Sequence, residues 1–403
     1  MRPEECGLPR PTQLPQIRFS DLPTGALSLV VFGPGEGEAS VLVFPDGSVG
    51  IVDGCNEPRD MGGRGDPVRE FLASIPSPRL RFACLTHPHD DHYAGLAALI
   101  QHYGVSVEEV WTIPIVVGKF REALLRRNDL LFDPSSPDAS AKRGGLENFL
   151  STYMQRMAEG GKVRRLTESA ELISETLGGA NLIVSSCGPA DNDLVVEETH
   201  LHEYFACVLS ENEPPAQLNP NQTSGAVLVR WGDAAVLLTG DLLSGGRDAN
   251  SGWNASCARV SRHRIQIINA AHHASEGAHH EGIWKACCPS LAIVTPFRRA
   301  TGQAPPRPEQ IAMLAKSSCV AITSPPAWVE ANNPAWPARL EAPLLMSRRS
   351  TKTSVRSTAL LHRAVPADQD IYNAVAVTLS ADGNVIRFLL GGQANLYDVH
   401  RAH

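Results

Sequence analysis

The sequence predicts an α/β sandwich with one long insertion. Three observations carry this reading. Short apolar runs of strand character recur toward both ends of the chain and alternate with helix signals. Turn residues join neighbouring runs at 45–48, 232–233 and 381–383, the pattern of hairpins. The stretch 115–200 breaks that rhythm with helical segments and a polar, Pro/Ser-rich interruption (DPSSPDAS). At about 150 residues per domain, 403 residues would allow two to three units; one sandwich carrying an insertion accounts for the length as well.

Taken in order, residues 1–25 are proline-rich with little apolar periodicity and read as an extended arm. ALSLVVF, ASVLVF and SVGIVD follow as three strands, with Pro45-Asp46-Gly47-Ser48 turning between the last two. Asp66-Pro67 is an N-cap followed by a first-turn proline, opening a helix through Phe71 and Leu72. Leu80 to Thr86 is a strand, and His92 to Tyr103 a helix ended by Gly104. Within 115–200, GKFREALLRRNDLLF and LENFLSTYMQRMAE have helical character, and the region is expected to cap a site. Ala226–Trp231 and Ala234–Thr239 form a hairpin around Gly232-Asp233. Ile265–Ala270 and Leu291–Thr295 are strands with a helix between them, and Pro308 starts a helix through Leu314. NAVAVTLS and NVIRFLL make the last hairpin, and no solenoid repeat is present. The domain is thus expected over 26–398.

Composition narrows the function class. Hydrophobic residues make up 43% and charged residues 20%, which supports a buried core and argues against a disordered chain. No apolar run approaches the length of a spanning helix, and the first residues carry no apolar leader core, so no membrane partner is expected. A net charge of −7 excludes a globally basic nucleic-acid coat, though not a local basic patch. Nine cysteines, an odd number without a Cys-x-x-Cys pair, suit free thiols in a reducing cytosol, so a cytoplasmic location is expected.

The chemistry concentrates in Thr86-His87-Pro88-His89-Asp90-Asp91-His92, where a strand meets a helix. Three imidazoles and two carboxylates fall within six residues there. In an extended loop His87 and His89 point the same way and can grip one cation; Asp91 and His92 can reach a second. Imidazole with carboxylate suits zinc, manganese or iron. Asp241 after VLLTG and His272-His273 after IQIINAA also emerge at strand ends, where ligands converge in α/β folds.

The His-x-His-x-Asp-His segment at 87–92 resembles the signature of the metallo-β-lactamase fold superfamily. Ile51-Val52-Asp53-Gly54 is similar to that family's first motif, LLTGD at 237–241 to its fourth, and AHHAS at 271–275 to its fifth. One branch is closer: the metallo-β-lactamase-like domain of bacterial DNA-uptake channel proteins and their stand-alone relatives. Its Gly-rich turn resembles FGPGEGEAS at 32–40, its Asn-x-x-Ser resembles Asn221 to Ser224, and its His-His-Gly-Ser resembles His272 to Ser275. The resemblance spans roughly 26–110 and 220–395 and leaves out the insertion.

It implies a four-layer αββα sandwich and two divalent cations, Zn or Mn. By resemblance His87 and His89 hold the first cation, Asp91, His92 and His272 the second, and Asp241 bridges. Asp53 orients an imidazole from behind. His272 is favoured over His273 because related motifs place the ligand first; His273 is left to contact substrate or protonate a leaving group. Asp91 is expected to hold cation and nucleophile in line. One departure concerns the third motif, where Asn221 replaces the usual histidine, as it does in the DNA-uptake branch. The first site is then completed by water, by Asn221, or by His200 or His202.

The implied activity is metal-dependent hydrolysis through a metal-bridging hydroxide. A phosphodiester in nucleic acid or a nucleotide-like molecule is the favoured substrate, with Asn221, Ser224, Ser275 and Arg298 as substrate contacts. The basic stretch at 346–363 suits a phosphate backbone. No aromatic stacking platform points to sequence-specific readout, and no RNA-processing insertion follows the fourth motif. Two alternatives stand: an ester, lactone or β-lactam hydrolase on the same metals, and a non-catalytic protein that binds a partner. Stand-alone relatives act as effectors beside NTPases in bacterial defence, so an NTPase partner is a further expectation.

Overall fold

The fold is that of a computed structural model, which describes residues 1–33, 37–55, 65–114, 139–210, 219–297, 304–326 and 372–397. The first sheet holds β1 (Thr12–Leu14), β2 (Leu27–Phe32), β3 (Ala39–Val43), β4 (Val49–Val52), β5 (Leu80–Leu85), β6 (Val107–Thr112), β7 (Lys162–Arg165), β15 (Ala374–Leu379) and β16 (Val385–Gly391). Their order across the sheet is β1-β16-β15-β2-β3-β4-β5-β6-β7. The second holds β8 (Glu171–Leu177), β9 (Ala180–Gly188), β10 (Ala226–Trp231), β11 (Ala234–Leu238), β12 (Ile267–Asn269), β13 (Leu291–Val294), β14 (Cys319–Ile322) and β17 (Asn395–Leu396). Its order is β17-β14-β13-β12-β11-β10-β9-β8.

Residue parity explains how the sheets stack. Val227, Val229 and Trp231 of β10, Ile267 of β12 and Leu291 and Ile293 of β13 join one core with Leu29, Val31, Leu42 and Ile51 of the first sheet. Their odd-even neighbours Ala226, Leu228 and Ile268 face the other way, onto Trp253, Val260 and Ile283 of the helices at Gly252–Val260 and Glu281–Cys287. Ala292 and Val294 meet Ile311 and Leu314 of the helix Pro308–Leu314 in the same manner. Side chains alternate along a strand, so near-continuous apolar runs mean burial on both faces. The first sheet is covered by Pro67–Ala73, Leu96–Tyr103 and the helix Ala139–Ala158, through Phe71, Leu99 and Phe149. The layers therefore run helix, sheet, sheet, helix, the expected αββα sandwich.

Three elements differ from the sequence reading. The arm is no free extension: β1 pairs parallel with β16, and Leu8, Ile17 and Leu22 are buried in the core. Of the stretch 115–200, residues 115–138, with the expected helix GKFREALLRRNDLLF, lie outside the described residues, and 139–200 is not helical throughout. Between the helices Ala139–Ala158 and Asp191–Leu209 it gives β7 to the first sheet and the hairpin β8–β9 to the second. Gly178 and Gly179, both left-handed, make the tight turn of that hairpin. β7 (KVRR) sits at the sheet edge, where exposed charge is at home and apolar periodicity is weak. The single helix expected from His92 is split: one turn spans Asp90–Tyr93, and left-handed Gly95 redirects the chain into Leu96–Tyr103.

The topology then sets the site. β4 and β5 run parallel with Val52 beside Cys84, and β11, β12 and β13 run parallel with Leu238, Asn269 and Ile293 abreast. Parallel strands in register release their following loops at one edge. Asp53, the His87–His92 loop, Asp241, the His272–His273 pair and Thr295 all leave at such ends. Among the described residues no helix is long and apolar enough to cross a membrane.

Candidate metal centre

After β5 the chain turns sharply: the amide of His89 donates to His87 O (3.0 Å), and those of His92 and Tyr93 donate to His89 O. This packs the rings of His87 and His89 with centroids 4.6 Å apart, and those of His87 and His92 4.2 Å apart. Gly37 (φ 104°) brings the backbone close against the loop. A Cβ there would sit 2.7 Å from Asp91 O, the oxygen that accepts from the Glu38 amide at 3.1 Å.

Two donor groups form around Asp241. Asp91, His92, Asp241 and His273 each offer one donor atom, all within 4.8 Å of one another; His87, His89 and Asp241 do the same. Asp241 belongs to both. Its Oδ1 lies 3.2 Å from His92 Nε2, and its Oδ2 lies 3.6 Å from His87 Nε2. Asp91 Oδ2 lies 3.2 Å from His273 Nε2. Segments more than 180 residues apart thus meet at one pocket.

The far nitrogens are tied outward, which decides the tautomers. His92 Nδ1 donates to Asp53 Oδ2 at 2.8 Å, so Nε2 is the nitrogen turned to Asp241. Asp53 is 1% exposed and also accepts from the amide and hydroxyl of Thr86, both at 2.8 Å. His273 Nδ1 donates to the Thr295 carbonyl at 2.8 Å and presents Nε2 to Asp91. His87 Nδ1 lies 3.1 Å from Thr86 Oγ1 and 3.3 Å from Ser224 Oγ.

Burial and charge pull against each other here. Burial, reinforced by neighbouring His92 and His89, drives His87 well below the usual histidine range, so it is neutral. Burial would lower His273 too, but the carboxylates of Asp91 and Asp241 outweigh it and lift it to about 9. His92 is raised for the same reason, by Asp241, Asp91 and Asp53 against its burial. Burial would raise Asp241, but His92, by its charge and its close contact, holds it well below the carboxylate range. Without a cation the acids are matched by protonated imidazoles, a pattern that a divalent ion can replace.

The residues present fit such an ion. His92 Nε2 and Asp241 Oδ1 are buried yet make no hydrogen bond. Buried polar atoms are otherwise nearly always satisfied, and imidazole with carboxylate is the donor set of borderline divalent metals.

The sequence reading is refined residue by residue. His87, His89, Asp91, His92 and Asp241 come together, with Asp53 behind His92. The expectation for the histidine pair is reversed: His273, 2% exposed, enters the Asp91–His92–Asp241 group, and His272 does not. Both residues are left-handed (φ 49° and 55°), so the turn swings the second ring inward and the first toward Asn221. Ser224, expected at the substrate, is fully buried; its hydroxyl accepts the Asp241 amide at 3.0 Å and braces the site from behind. Ser275 Oγ meets His272 Nδ1 at 2.8 Å, and Asn221 Nδ2 donates to His272 Nε2 at 3.0 Å. Asn221 is itself buried, so these two also brace a histidine. His200 and His202 belong to the helix Asp191–Leu209, where a spacing of two turns them to different sides; neither joins the two groups. Arg298 and the stretch 346–363 lie outside the described residues.

Two residues escaped the sequence reading. Glu38 is buried, accepts from Asn269 Nδ2 at 2.7 Å and from the Thr295 hydroxyl, and is raised by burial to about 7. Thr295 thereby links Glu38 to His273. The available signal was an acid within the Gly-rich turn already noted at 32–40.

Residues 34–196 match the family model of the metallo-beta-lactamase superfamily. No curated protein matches the chain. Similar solved structures include the metallo-beta-lactamase fold protein YhfI from Bacillus subtilis: 12% identity over 74% of this chain and 96% of that one, TM-score 0.37. Human tRNase Z, short form, is 12% identical over 72% and 87%, TM-score 0.33. Tm1679, a metal-dependent hydrolase of the beta-lactamase superfamily, is 12% identical over 75% and 96%, TM-score 0.36. The αββα sandwich and the matched segment together identify a domain of the metallo-beta-lactamase superfamily in this chain.

Proposed function

We propose that the protein is a divalent-cation-dependent hydrolase of phosphodiester bonds, acting on nucleic acid or a nucleotide-like molecule. The observation that carries the hydrolase reading is the shared carboxylate, with Asp241 at the junction of two donor groups. In this reading His87 and His89 would hold one cation and Asp91, His92 and His273 the other, with Asp241 common to both donor groups. Zinc or manganese suits these donors. When bound, such ions supply Lewis acidity and a water that is nucleophilic near neutral pH.

The chain's own residues do the rest. Asp53 and Thr295 keep His92 and His273 in the tautomers that present Nε2. Burial of His87, His92, His273 and Asp241 excludes water and strengthens every charge in the site. With both of its nitrogens engaged, His273 is not the proton donor first considered for it. The phosphodiester itself is supported by the resemblance to the DNA-uptake branch: the Gly-rich turn, Asn221 to Ser224 and His272 to Ser275 occur in that branch's order.

The test is elemental analysis of the purified protein, then turnover of plasmid DNA and bis-p-nitrophenyl phosphate against nitrocefin and lactones. The expected result is cation-dependent phosphodiester cleavage, lost on chelation and in Asp241→Asn. Hydrolysis confined to nitrocefin or lactones moves the function to the ester and amide class. Protein that retains no cation and cleaves nothing overturns the reading.

A further inference from the structure

We propose that Glu38 is a positioning residue that ties the two sheets together behind the site: it holds Asp91 with its main chain and, through Thr295, His273 with its side chain. This rests on the two-cation reading. Asp91 follows β5 of the first sheet and His273 follows β12 of the second, so neither sheet alone fixes the 3.2 Å between Asp91 Oδ2 and His273 Nε2. Glu38, the residue before β3, reaches both sides of that gap. Its amide donates to Asp91 O at 3.1 Å, an approach left open because Gly37 has no Cβ. Its carboxylate crosses to the second sheet. Oε1 accepts from Asn269 Nδ2 at 2.7 Å, and Oε2 accepts from the Thr295 hydroxyl. Asn269 ends β12, the strand that delivers the histidine pair, and Thr295 follows β13.

The hydrogens along this chain run one way. Thr295 offers His273 Nδ1 two oxygens, its carbonyl at 2.8 Å and its hydroxyl at 3.2 Å. A hydroxyl has one hydrogen, so Oγ1 faces the Nδ1 hydrogen as an acceptor only when its own hydrogen goes elsewhere, and Glu38 Oε2 takes it. Glu38, Asn269, Thr295 and His273 are all buried, so bulk water does not replace a lost link. Glu38 belongs to neither donor group, and both of its oxygens are turned to Asn269 and Thr295; it places a ligand and is not one. Among the described residues no hydrogen bond joins Glu38 or Thr295 to His87, His89 or Asp241, so its effect falls on the Asp91–His92–His273 side alone.

The experiment compares wild type with Thr295→Val, Glu38→Leu and Glu38→Gln. Valine keeps the shape and the carbonyl at 295 and removes the hydroxyl; leucine removes both acceptors at 38. Glutamine keeps the reach: its oxygen can take the Thr295 hydroxyl while Asn269 Oδ1, buried and without a hydrogen bond, turns to its NH2 group. Bound zinc is counted by elemental analysis, and affinity is measured by competition with a chromophoric chelator. NMR of the zinc-loaded protein with 15N-labelled histidine reads the Nδ1 hydrogen of His273, assigned by its loss in His273→Asn. Wild type is expected to hold two equivalents. Thr295→Val and Glu38→Leu should weaken one class of site by about 10–100-fold, leave the other unchanged and shift the His273 signal. Glu38→Gln should restore both readouts. Thr295→Val leaves Glu38 in place, so the test stands even where circular dichroism shows Glu38→Leu unfolded. Unchanged affinity and an unmoved His273 signal in Thr295→Val overturn this inference alone. So does equal weakening of both classes, the mark of a purely structural role, and so does Glu38→Gln as weak as Glu38→Leu. Wild type that binds one equivalent or none overturns the two-cation reading as well.

Discussion

Asp53→Asn separates a role in orienting a ligand from a role in holding the fold. Asp53 accepts three hydrogen bonds, from the Thr86 amide, the Thr86 hydroxyl and His92 Nδ1, all at 2.8 Å. Asparagine keeps the shape and tolerates the left-handed backbone at this position (φ 62°), so the change is confined to charge and hydrogen bonding. One oxygen becomes an NH2 group. If the remaining oxygen stays with the Thr86 amide, the NH2 faces His92 Nδ1. That nitrogen must then accept, and the ring hydrogen moves to Nε2, where the cation would sit. If the amide flips, the NH2 meets the Thr86 N–H, a buried donor pair costing about 1–3 kcal/mol. In the first case the cation loses about 10–100-fold in affinity, or roughly 1.4–2.8 kcal/mol; in the second the loss falls on stability. The assay is zinc titration of metal-free protein against a chelator of known affinity. Folded Asp53→Asn that binds zinc within twofold of wild type would refute the claim that Asp53 sets the His92 tautomer.

Two further predictions concern the scaffold. Phe82 is fully buried, stacked on Trp111 with centroids 3.7 Å apart, and it fills the space over Gly50, where a Cβ would meet the ring at 2.3 Å. Phe82→Ala should cost about 3–5 kcal/mol, and Gly50→Ala should cost more alone than in the Phe82→Ala background; additive losses in urea unfolding would sink the packing argument. The second concerns Asp46, which accepts from Ser48, Arg79 and Arg81. Burial would raise its carboxyl, but the Ser48 and Arg81 hydrogen bonds outweigh that and bring it to about 2. A folded-state value below the unfolded one means stability that is present above about pH 4 and lost as pH falls toward 2. The Tm difference between wild type and Asp46→Asn should hold steady above that range and shrink below it; a difference independent of pH would contradict this.

Much of the site was legible in the chain because the relevant residues are local or follow a local rule. His87, His89, Asp91 and His92 sit in one segment after a fully apolar strand, and Asp241 follows another. Asp66 before Pro67 reads as an N-cap, and its side chain accepts the Arg69 amide. The three strands Lys162–Arg165, Glu171–Leu177 and Ala180–Gly188 were obscured because their exposed faces are polar and helices flank them.

What the amino-acid order determined by itself was the layered fold, the donor types and the strand ends that deliver them, since alternation and turn chemistry act over a few residues. Only the tertiary structure decided which of His272 and His273 turns inward, because that depends on three consecutive left-handed residues, 272–274, and on Thr295 accepting from Nδ1. It alone revealed Glu38, whose partners Asn269 and Thr295 lie 231 and 257 residues away. Contacts that distant in sequence carry no local pattern, so they become readable only once the sheets have brought their strand ends together.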